Sequence, residues 1–309
     1  MKTSTLSVIL TNYNHGKYIG GALEGIIGQF FKPLEIIVID DGSTDDSVKI
    51  IEDFIKREPC MRLIKHEKNM GVQYNLRYLT ELPKGEYVYS AAADDKVLPG
   101  FFEKSMKLLA RYPQAGLCCS DPVFFRYDND AVIHNRLSKN IKEGYLNPDT
   151  LVNLFKNTPF WIAGHTSIVK TSALIKSGGY LPQLKWYCDW FVSIVVAFRC
   201  GICYIPEPLA SMRVSAASYS ASGVKIGKEK DEVFTNLLNL LTQKEYEDIF
   251  PFFKKSTVFL QLHPDVLLTI IKNPKYISLL SPLFIWKVLR EKVIRMVRSI
   301  WKVLMKLPE

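Results

Sequence analysis

The sequence lacks any uninterrupted run of 18 apolar residues, about the shortest that a membrane-spanning helix needs. No secretory signal precedes its first apolar segment, residues 6–10. Its six cysteines are scattered, and the one Cys-x-x-Cys pair, Cys200 and Cys203, has no second pair or nearby histidine to complete a zinc site. We therefore expect no transmembrane helix, and free thiols in a reducing cytoplasm.

The chain has 309 residues, of which 48% are hydrophobic and 23% charged, enough for one large folded domain and an appendage. Its formal net charge of +9 predicts an anionic partner. Composition alone leaves three kinds of partner open: nucleic acid, a phosphate-rich substrate or a membrane surface.

Apolar strands alternate with helical patterns along the first 100 residues. The predicted strands are residues 6–10, 34–39, 61–64 and 86–89. This alternation is typical of βαβ units, so we predict an α/β fold with a mostly parallel sheet flanked by helices. Polar loops at 11–14, 40–45 and 90–95 each follow a strand. Ligands bind beyond the carboxyl ends of such strands, so the loops are expected to form one site.

The loop after the fourth strand contains two adjacent carboxylates, Asp94 and Asp95, preceded by small residues and followed by Pro99. Carboxylates are hard oxygen ligands for Mg²⁺ or Mn²⁺, which commonly share their coordination with substrate phosphates. The alternative is an acidic turn that caps the helix beginning near Pro99.

The second half of the chain changes character near residue 220. A short strand at Tyr204 and Ile205 is expected to break at Pro206 and Pro208, and the Ser/Ala/Gly-rich stretch 215–227 is typical of a linker. Helical patterns alone follow. We predict a first domain at 1–220 and a helical C-terminal region at 221–309.

Residues 283–307 have the pattern of a basic amphipathic helix. Its polar face is predicted to contain Lys287, Glu291, Arg295, Arg298, Lys302 and Lys306. Its apolar face is predicted to contain Trp286, Leu289, Val293, Met296, Val297, Ile300, Trp301 and Leu304. Such a helix suits the surface of an anionic membrane. The alternative is a helix that packs onto the protein and leaves its basic face in solvent.

Five segments, taken together and in order, resemble the family 2 glycosyltransferases, the large inverting family with the GT-A fold. They are VILTNYNHGKY at 8–18, EIIVIDDGSTD at 35–45, Asn69-Met70-Gly71, residues 85–99, and Cys188-Asp189-Trp190 with the later Ile-Pro-Glu-Pro-Leu at 205–209. The resemblance covers roughly residues 5 to 215. Ala92 stands where the family often has the first aspartate of Asp-x-Asp. The QxxRW signature of processive synthases is absent, which favours addition of a single sugar.

The resemblance implies a role for particular residues in donor binding. The nucleotide would be held by Thr11, Tyr13, Asp40, Asp41, Asp94 and Arg213. Asp94 and Asp95 would bind the divalent cation, Mn²⁺ or Mg²⁺. An aspartate can accept a hydrogen bond from uracil N3–H, and the Tyr13 ring can pack on the base. The alternative for Asp40 and Asp41 is a helix-capping turn, although Ser43 or Thr44 could provide that cap.

On the acceptor side, the resemblance implies that Asp189 is the catalytic base, with His165 and Trp186 lining the acceptor site. Asp189 could instead be, or also be, the N-cap of the apolar helix that follows it. His165 could be a core histidine, and Trp186 a core aromatic residue.

These features favour a metal-dependent inverting transfer of one sugar from a nucleoside-diphosphate sugar, UDP-linked by preference, to a hydroxyl of a glycan or lipid-linked glycan. We expect the enzyme to act in cell-envelope polysaccharide biosynthesis, peripherally on the inner face of a bacterial cytoplasmic membrane, with no nucleic-acid partner.

Three alternatives remain open from the sequence. One is a degenerate homologue that binds nucleotide sugar without turnover. Another is a basic protein that binds nucleic acid or membrane. A third is a nucleotidyltransferase, which would usually need a Gly-rich phosphate loop where residues 11–14 stand. The donor sugar, the acceptor and the oligomeric state remain open.

Overall fold

The computed structural model describes residues 4–126, 132–134, 137, 140–214, 227–262, 266–290 and 293–294. Within them, ten strands form one mixed sheet. The strands are β1 Leu6–Asn12, β2 Glu35–Asp40, β3 Met61–Lys65, β4 Tyr87–Ala92, β5 Lys96–Val97, β6 Leu117–Arg126, β7 Val132–His134, β8 Gly144–Leu146, β9 Ser167–Lys170 and β10 Ile202–Val214.

Helices flank the sheet and make up most of the described C-terminal region. They are α1 Gly16–Ile27, α2 Ser47–Ile55, α3 Val72–Leu76, α4 Tyr78–Glu81, α5 Phe101–Arg111, α6 Pro148–Asn157, α7 Thr171–Lys176, α8 Cys188–Cys200, α9 Gly227–Leu241, α10 Phe250–Lys255, α11 Val266–Lys272 and α12, residues 282–290. No helix in the described ranges has the length and apolar character needed to cross a bilayer. The predicted linker and domain boundary at 215–226 lie outside the described residues, as does most of the predicted tail helix.

The strand order along the sheet is β3-β2-β1-β4-β9-β6-β10-β5. The first four of these strands run parallel to one another, and β6 runs parallel to β10. Strand β9 joins the two parallel groups by pairing antiparallel with both β4 and β6. The mostly parallel α/β sheet predicted from the sequence is therefore confirmed.

Apolar side chains of the central strands point to both faces of the sheet, which is why these strands are nearly continuous in hydrophobic residues. Val8, Leu10 and Val38 pack on one face beneath α1, α2 and α5. Ile9 and Ile37 belong to the core on the other face. That second core continues through α8 into α9, α10 and α12, so the described C-terminal helices share it with the sheet.

The predicted break after Ile205 is wrong, because β10 extends over 13 residues from Ile202 to Val214. The register with β6 shifts between Ile205 and Pro208 and again between Pro208 and Ala210. Proline has no N–H to give a regular ladder, and a bulge removes that requirement locally. The strand therefore continues past its prolines and carries Arg213 to the site edge of the sheet.

Helix α8 approaches the sheet closely where β6 begins. A Cβ added at Gly116 would meet Val196 Cγ1 at 2.4 Å and Cys200 Cβ at 2.8 Å. Val196 and Cys200 both belong to α8, which has Asp189 in its first turn. Glycine at 116 therefore permits the packing that positions Asp189.

We expect Gly116→Ala to destabilise the fold by about 1–3 kcal/mol through overpacking. Gly21→Ala is the matched control, because a Cβ there meets nothing within 4 Å on helix α1. That control should gain about 0.5–1 kcal/mol, since alanine favours the helical backbone over glycine. Urea unfolding of both variants checks the pair. Equal stability of Gly116→Ala and the unsubstituted chain would contradict close packing of α8 on β6.

Candidate active site

The polar loops meet because the strands that carry them are in register. Asn12 of β1 lies opposite Asp40 of β2, and Thr11 of β1 lies opposite Ala92 of β4. Backbone hydrogen bonds extend this register beyond the strands, since Asp41 N donates to the Asn12 carbonyl over 2.9 Å. The convergence of the three loops at one sheet edge is therefore confirmed.

Side chains tie the first two loops together. Asn12 Nδ2 donates to Asp40 Oδ1 over 2.7 Å and to Ser43 Oγ over 3.1 Å. Asn14 N also donates to Ser43 Oγ, and Asn14 Oδ1 accepts a bond from Thr44 N over 2.8 Å. Asn14 has a left-handed φ of 53°, a conformation that asparagine tolerates better than most residues. These bonds make the two loops one connected unit.

The expectation that Ser43 or Thr44 caps α2 is wrong. The helix begins at Ser47 and its cap position is Asp46, which makes no side-chain cap bond. Ser43 is instead engaged by the β1 loop, as described above. The Asp45 carboxylate accepts bonds from Ser47 N over 3.0 Å and from Gly16 N over 2.8 Å. Asp45 thus links the N-terminal ends of α1 and α2.

Asp40 and Asp41 are both buried, and protein groups bind both carboxylates. Asp40 Oδ2 accepts a bond from Ser43 N over 2.9 Å. Asp41 receives bonds from the backbone N–H groups of Met70 and Gly71, over 2.8 and 2.9 Å. In this structure the pair holds the loops in place, and direct contact of either residue with a nucleotide stays a prediction.

The third group on Asp41 is His66, whose Nδ1 lies 2.9 Å from Asp41 Oδ1. Burial alone would raise the pKa of Asp41, but the bonds from His66 and from the Met70 and Gly71 amides outweigh it and lower that pKa below its usual range. The sequence analysis missed His66. It directly follows β3, so the rule that selected residues after β1, β2 and β4 would also have selected it.

Tyr13 and Thr11 differ in their exposure. The Tyr13 side chain is 42% exposed and Thr11 is half-buried at the end of β1. Large aromatic side chains that remain exposed beside a polar loop can stack on a flat ligand. The exposure of Tyr13 is consistent with its predicted role against a base.

Asp94 and Asp95 follow β4 as predicted, and the extended β10 brings Arg213 to them. The Arg213 backbone N–H donates to Asp95 Oδ1 over 3.0 Å, and the Arg213 guanidinium lies 4.5 Å from the centre of the Tyr18 ring. Burial, reinforced by the neighbouring charge of Asp94, raises the pKa of Asp95 to about 8. The structure therefore groups two carboxylates and one arginine at this edge.

This donor set fits a divalent cation. Carboxylate oxygens suit Mg²⁺ or Mn²⁺, and a bound cation would relieve both the repulsion between Asp94 and Asp95 and the desolvation of Asp95. The residues that the structure describes contain no group of three or more His, Cys, Asp or Glu side chains placed to hold a metal. The remaining ligands would therefore come from other oxygen donors, such as a diphosphate or water.

Asp189 is the second residue of α8 and lies against Gly164. A Cβ at Gly164 would be 3.2 Å from Asp189 Oδ2. The Asp189 residue is exposed, and desolvation of its carboxyl group by the surrounding protein raises the pKa above the usual range. The N-cap alternative is wrong, because the cap position of α8 is Tyr187. Asp189 Oδ1 instead accepts a bond from the next backbone amide, Trp190 N, over 2.7 Å.

The turn Gly164–Thr166 connects the carboxylate strand to Asp189, since it contacts β4 and α8 as well as β6 and β10. The His165 carbonyl accepts a bond from Tyr89 O–H over 3.0 Å. Burial lowers the pKa of His165 to about 3, so its imidazole is neutral. Its Nε2 is buried and has no hydrogen-bond partner among the described residues. Trp186 is also buried, which leaves little of its ring for a sugar.

The chain before Asp189 is held by contacts that the sequence did not reveal. Lys185 has a left-handed φ of 48°, and its carbonyl accepts a bond from Gln73 Nε2 over 3.0 Å. Its ammonium group pairs with Glu229 of α9 at 2.5 Å. The loop that leads to Asp189 is therefore fixed from α3 on one side and from α9 on the other.

The family model described as glycosyl transferase family 2 matches residues 7–176, more than half of the chain. The chain belongs to glycosyl transferase family 2. This match covers the strands and loops that converge on Asp40, Asp41, Asp94 and Asp95, and it extends past the Gly164–Thr166 turn.

Curated relatives match this family 2 chain over shorter stretches. An uncharacterized glycosyltransferase of Escherichia coli K12, YibD, is 39% identical over 106 residues, which are 34% of this chain and 30% of the relative. The glycosyltransferase GlyG of Streptococcus pneumoniae serotype 4 is 34% identical over 98 residues, or 32% of this chain and 33% of the relative. The matches span about a third of the length of these two relatives.

Solved structures share the GT-A fold of this family 2 chain over most of its length. TarS 1–349 of S. aureus in complex with UDP-GlcNAc aligns with a TM-score of 0.62 at 16% identity, covering 90% of this chain and 80% of TarS. Mannosyltransferase PcManGT of Pyrobaculum calidifontis, in complex with GDP-Man and Mn²⁺, aligns with a TM-score of 0.59 at 18% identity, covering 98% and 88%. At these identities the likeness shows the fold alone.

We expect Asp41→Asn to lower the free energy of unfolding by about 1–3 kcal/mol at pH 7, because the Met70 and Gly71 amides lose a charged acceptor. The pKa of Asp41 is lowered in the folded chain, so its contribution is present above the unfolded pKa and is lost as the pH falls through the folded pKa. The difference between the two chains should therefore shrink below about pH 4.

Thermal unfolding at a series of pH values measures this difference. Asp46→Asn is the matched control, since Asp46 is exposed and makes no side-chain cap bond. A penalty for Asp41→Asn that stayed constant down to pH 2 would contradict the charged role of Asp41.

Proposed function

We propose that this chain is an inverting glycosyltransferase that transfers a single sugar from a nucleoside-diphosphate sugar, by preference a UDP-sugar, to a hydroxyl of a glycan or lipid-linked glycan. The observation that carries the proposal is the separation of two kinds of carboxylate. Asp94 and Asp95, with Arg213, form a group suited to a cation and a diphosphate. Asp189 stands apart from them, beyond the Gly164–Thr166 turn, with a raised pKa.

The nucleoside would lie beside the exposed Tyr13 ring and Thr11, at the ends of strands whose loops are fixed by Asp40 and Asp41. A nucleotide-sugar ligand is supported by the complexes of the structural neighbours, TarS with UDP-GlcNAc and PcManGT with GDP-Man. The preference for a UDP-sugar rests on the family resemblance of the loop at 40–45, which could offer a carboxylate to uracil N3–H.

The diphosphate would lie between Arg213 and the carboxylates of Asp94 and Asp95. A divalent cation held there supplies Lewis-acid stabilisation of the leaving diphosphate. Arg213 adds a positive charge that stays protonated at any physiological pH. Its backbone bond to Asp95 keeps this arginine beside the carboxylates.

Asp189 would act as the base. It accepts the proton of the acceptor hydroxyl while that oxygen bonds to the anomeric carbon and the bond from this carbon to the diphosphate breaks. Attack from the face opposite the leaving group inverts the anomeric configuration. The raised pKa of Asp189 makes it a stronger base than an aspartate with an ordinary pKa. His165, neutral and unpaired at Nε2, would line the acceptor side.

The direct test incubates the purified chain with a panel of UDP-, GDP- and dTDP-sugars and Mn²⁺ or Mg²⁺, and follows release of the nucleoside diphosphate. Release from one donor, stimulated by metal and by acceptor glycans, would support the transferase and name its sugar. Binding without release in the presence of every acceptor class would support a degenerate homologue, for which Ala92 is the motivating departure. No binding of any donor would overturn the proposal.

We expect Asp189→Asn to lower kcat by about 10²–10⁴-fold while donor affinity changes little, because only the proton acceptor is lost. The kcat of the unsubstituted chain should fall as the pH drops through a pKa above the ordinary carboxyl range, since protonated Asp189 cannot act as the base. This acidic limb should disappear in the variant. Asp53→Asn, at an exposed residue paired with Lys56, is the control. An unaltered pH profile in Asp189→Asn would assign the base to another group.

We expect Asp94→Asn to weaken metal-dependent donor binding at least about tenfold, the lower end of the loss seen when even an indirect metal partner is removed. Calorimetry with Mn²⁺ and UDP, mixed and separately, measures this effect. Asp46→Asn should bind as the unsubstituted chain does. Unchanged Mn²⁺ dependence in Asp94→Asn would show that the cation lies elsewhere.

A further inference from the structure

The last described helix, α12, has apolar side chains on two opposite faces. Phe284 and Val288, one turn apart, are buried in the core that α8 and α10 also form. Three other apolar side chains of α12, Ile285, Trp286 and Leu289, recur at spacings that place them on the opposite face. Each is 36% exposed or more, and Val293, which follows the helix in the sequence, is 54% exposed. One apolar face thus holds the helix to the protein, and the other remains uncovered by it.

The contacts of Lys287 show which side of α12 is directed to the protein. This residue belongs to the predicted polar face, yet its ammonium group donates to the Lys156 carbonyl and lies 3.4 Å from Thr257 Oγ1. The polar side of the helix at Lys287 is therefore directed to the protein, while Trp286 and Leu289 are 56% and 55% exposed. Within residues 282–290, the predicted apolar positions Trp286 and Leu289 are therefore directed away from the protein.

Exposed apolar side chains are also frequent in the chain that precedes α12. Leu268 and Ile271 are exposed on α11, and Ile277 is exposed in the following turn. Of the sixteen large hydrophobic side chains that are exposed among the described residues, eight lie between Leu268 and Val293. Concentrations of exposed apolar surface of this kind mark interaction sites.

The charge of the segment around α12 favours an anionic partner. The sequence from Val266 to Val293 has five lysine or arginine residues and one glutamate. Lys272, Lys275 and Arg290 are exposed, and the Arg290 guanidinium lies 5.5 Å from the centre of the Trp286 ring. Two copies of so cationic a surface would repel each other. An anionic bilayer would take up the apolar side chains and attract the cations.

The sequence that follows repeats the same pattern. Residues 295–309 lie outside the described residues, but they contain Ile300 and Trp301 and four further lysine or arginine residues with one glutamate. The combination of apolar and basic residues therefore continues along the sequence after Val293.

We propose that the exposed face of α12, formed by Ile285, Trp286 and Leu289 and accompanied by the exposed Val293 and by exposed lysine and arginine residues, is a docking surface for an anionic lipid bilayer. The apolar side chains enter the boundary between headgroups and acyl chains, with Trp286 at the interface. The cations pair with lipid headgroups. This surface is independent of the donor and of turnover.

The test uses the full chain and vesicles of phosphatidylcholine with or without phosphatidylglycerol, in a cosedimentation assay without donor. The chain should bind the anionic vesicles, and bind those of phosphatidylcholine alone more weakly. The triple variant Trp286→Ser, Leu289→Ser, Val293→Ser should lose at least tenfold in partitioning. Ile175→Ser is the matched control, because Ile175 is 54% exposed on α7, outside this region, and should bind normally.

Two further measurements distinguish loss of membrane binding from misfolding and from self-association. Quenching of tryptophan fluorescence by brominated lipid should fall in Trp286→Phe, a substitution at an exposed site that leaves the unfolding temperature unchanged. Vesicle binding by the folded triple variant equal to that of the unsubstituted chain would overturn the proposal. So would a dimer that dissociates in the triple variant while neither protein binds vesicles, because the face would then contact a second copy.

Discussion

The parallel pairing of β1 with both β2 and β4 is the constraint on which the candidate site depends. A slip of one residue in either pairing would turn the buried set of one strand to the opposite face of the sheet. Ile9 and Leu10 pack into different cores on the two faces, so both faces oppose such a slip. The same register fixes where the polar loops leave the sheet. The position of the loops is therefore a result of core packing.

Carboxylates at this one edge have opposite environments and opposite pKa shifts. Asp41 is surrounded by donors, which lower its pKa and make it a fixed part of the scaffold. Asp95 is desolvated next to the charge of Asp94, which raises its pKa. The first carboxylate has its hydrogen-bond donors within the protein, whereas the second lies next to another carboxylate. This difference separates a carboxylate that holds the loops together from a pair that we propose to bind a cation, although the sequence presents them all as short acidic loops.

Much of the sheet and the position of its loops could be predicted from the sequence because both depend on local pattern. Strands β1 to β4 are short apolar runs, and residues such as Asp94 follow them directly. The contacts that complete the site depend on residues far apart in the chain. Gln73 holds the Lys185 carbonyl across more than 100 residues, and Glu229 reaches Lys185 from a different helix. Local sequence pattern could not reveal such pairs. It also failed for β10, because Pro206 and Pro208 predicted the end of the strand, whereas the strand continues through an irregular register there.

The core that α12 shares with the sheet couples the position of α12 to that of α8. Phe284 and Val288 belong to the same cluster of buried side chains as Phe191 of α8, the helix on which Asp189 lies. Ring contacts connect Phe284 to Phe259, Phe259 to Phe253, and Phe253 to Phe198 of α8, so one continuous apolar cluster joins the helix that we propose to face lipid to the helix that we propose to carry the base. Docking of α12 on a bilayer, as proposed, would therefore set the height and tilt of the Asp189 carboxylate relative to the membrane. The distance from Asp189 to a membrane-bound acceptor would then depend on how the whole molecule is oriented on the bilayer. A change in how α12 packs against the protein would alter which acceptors come within range.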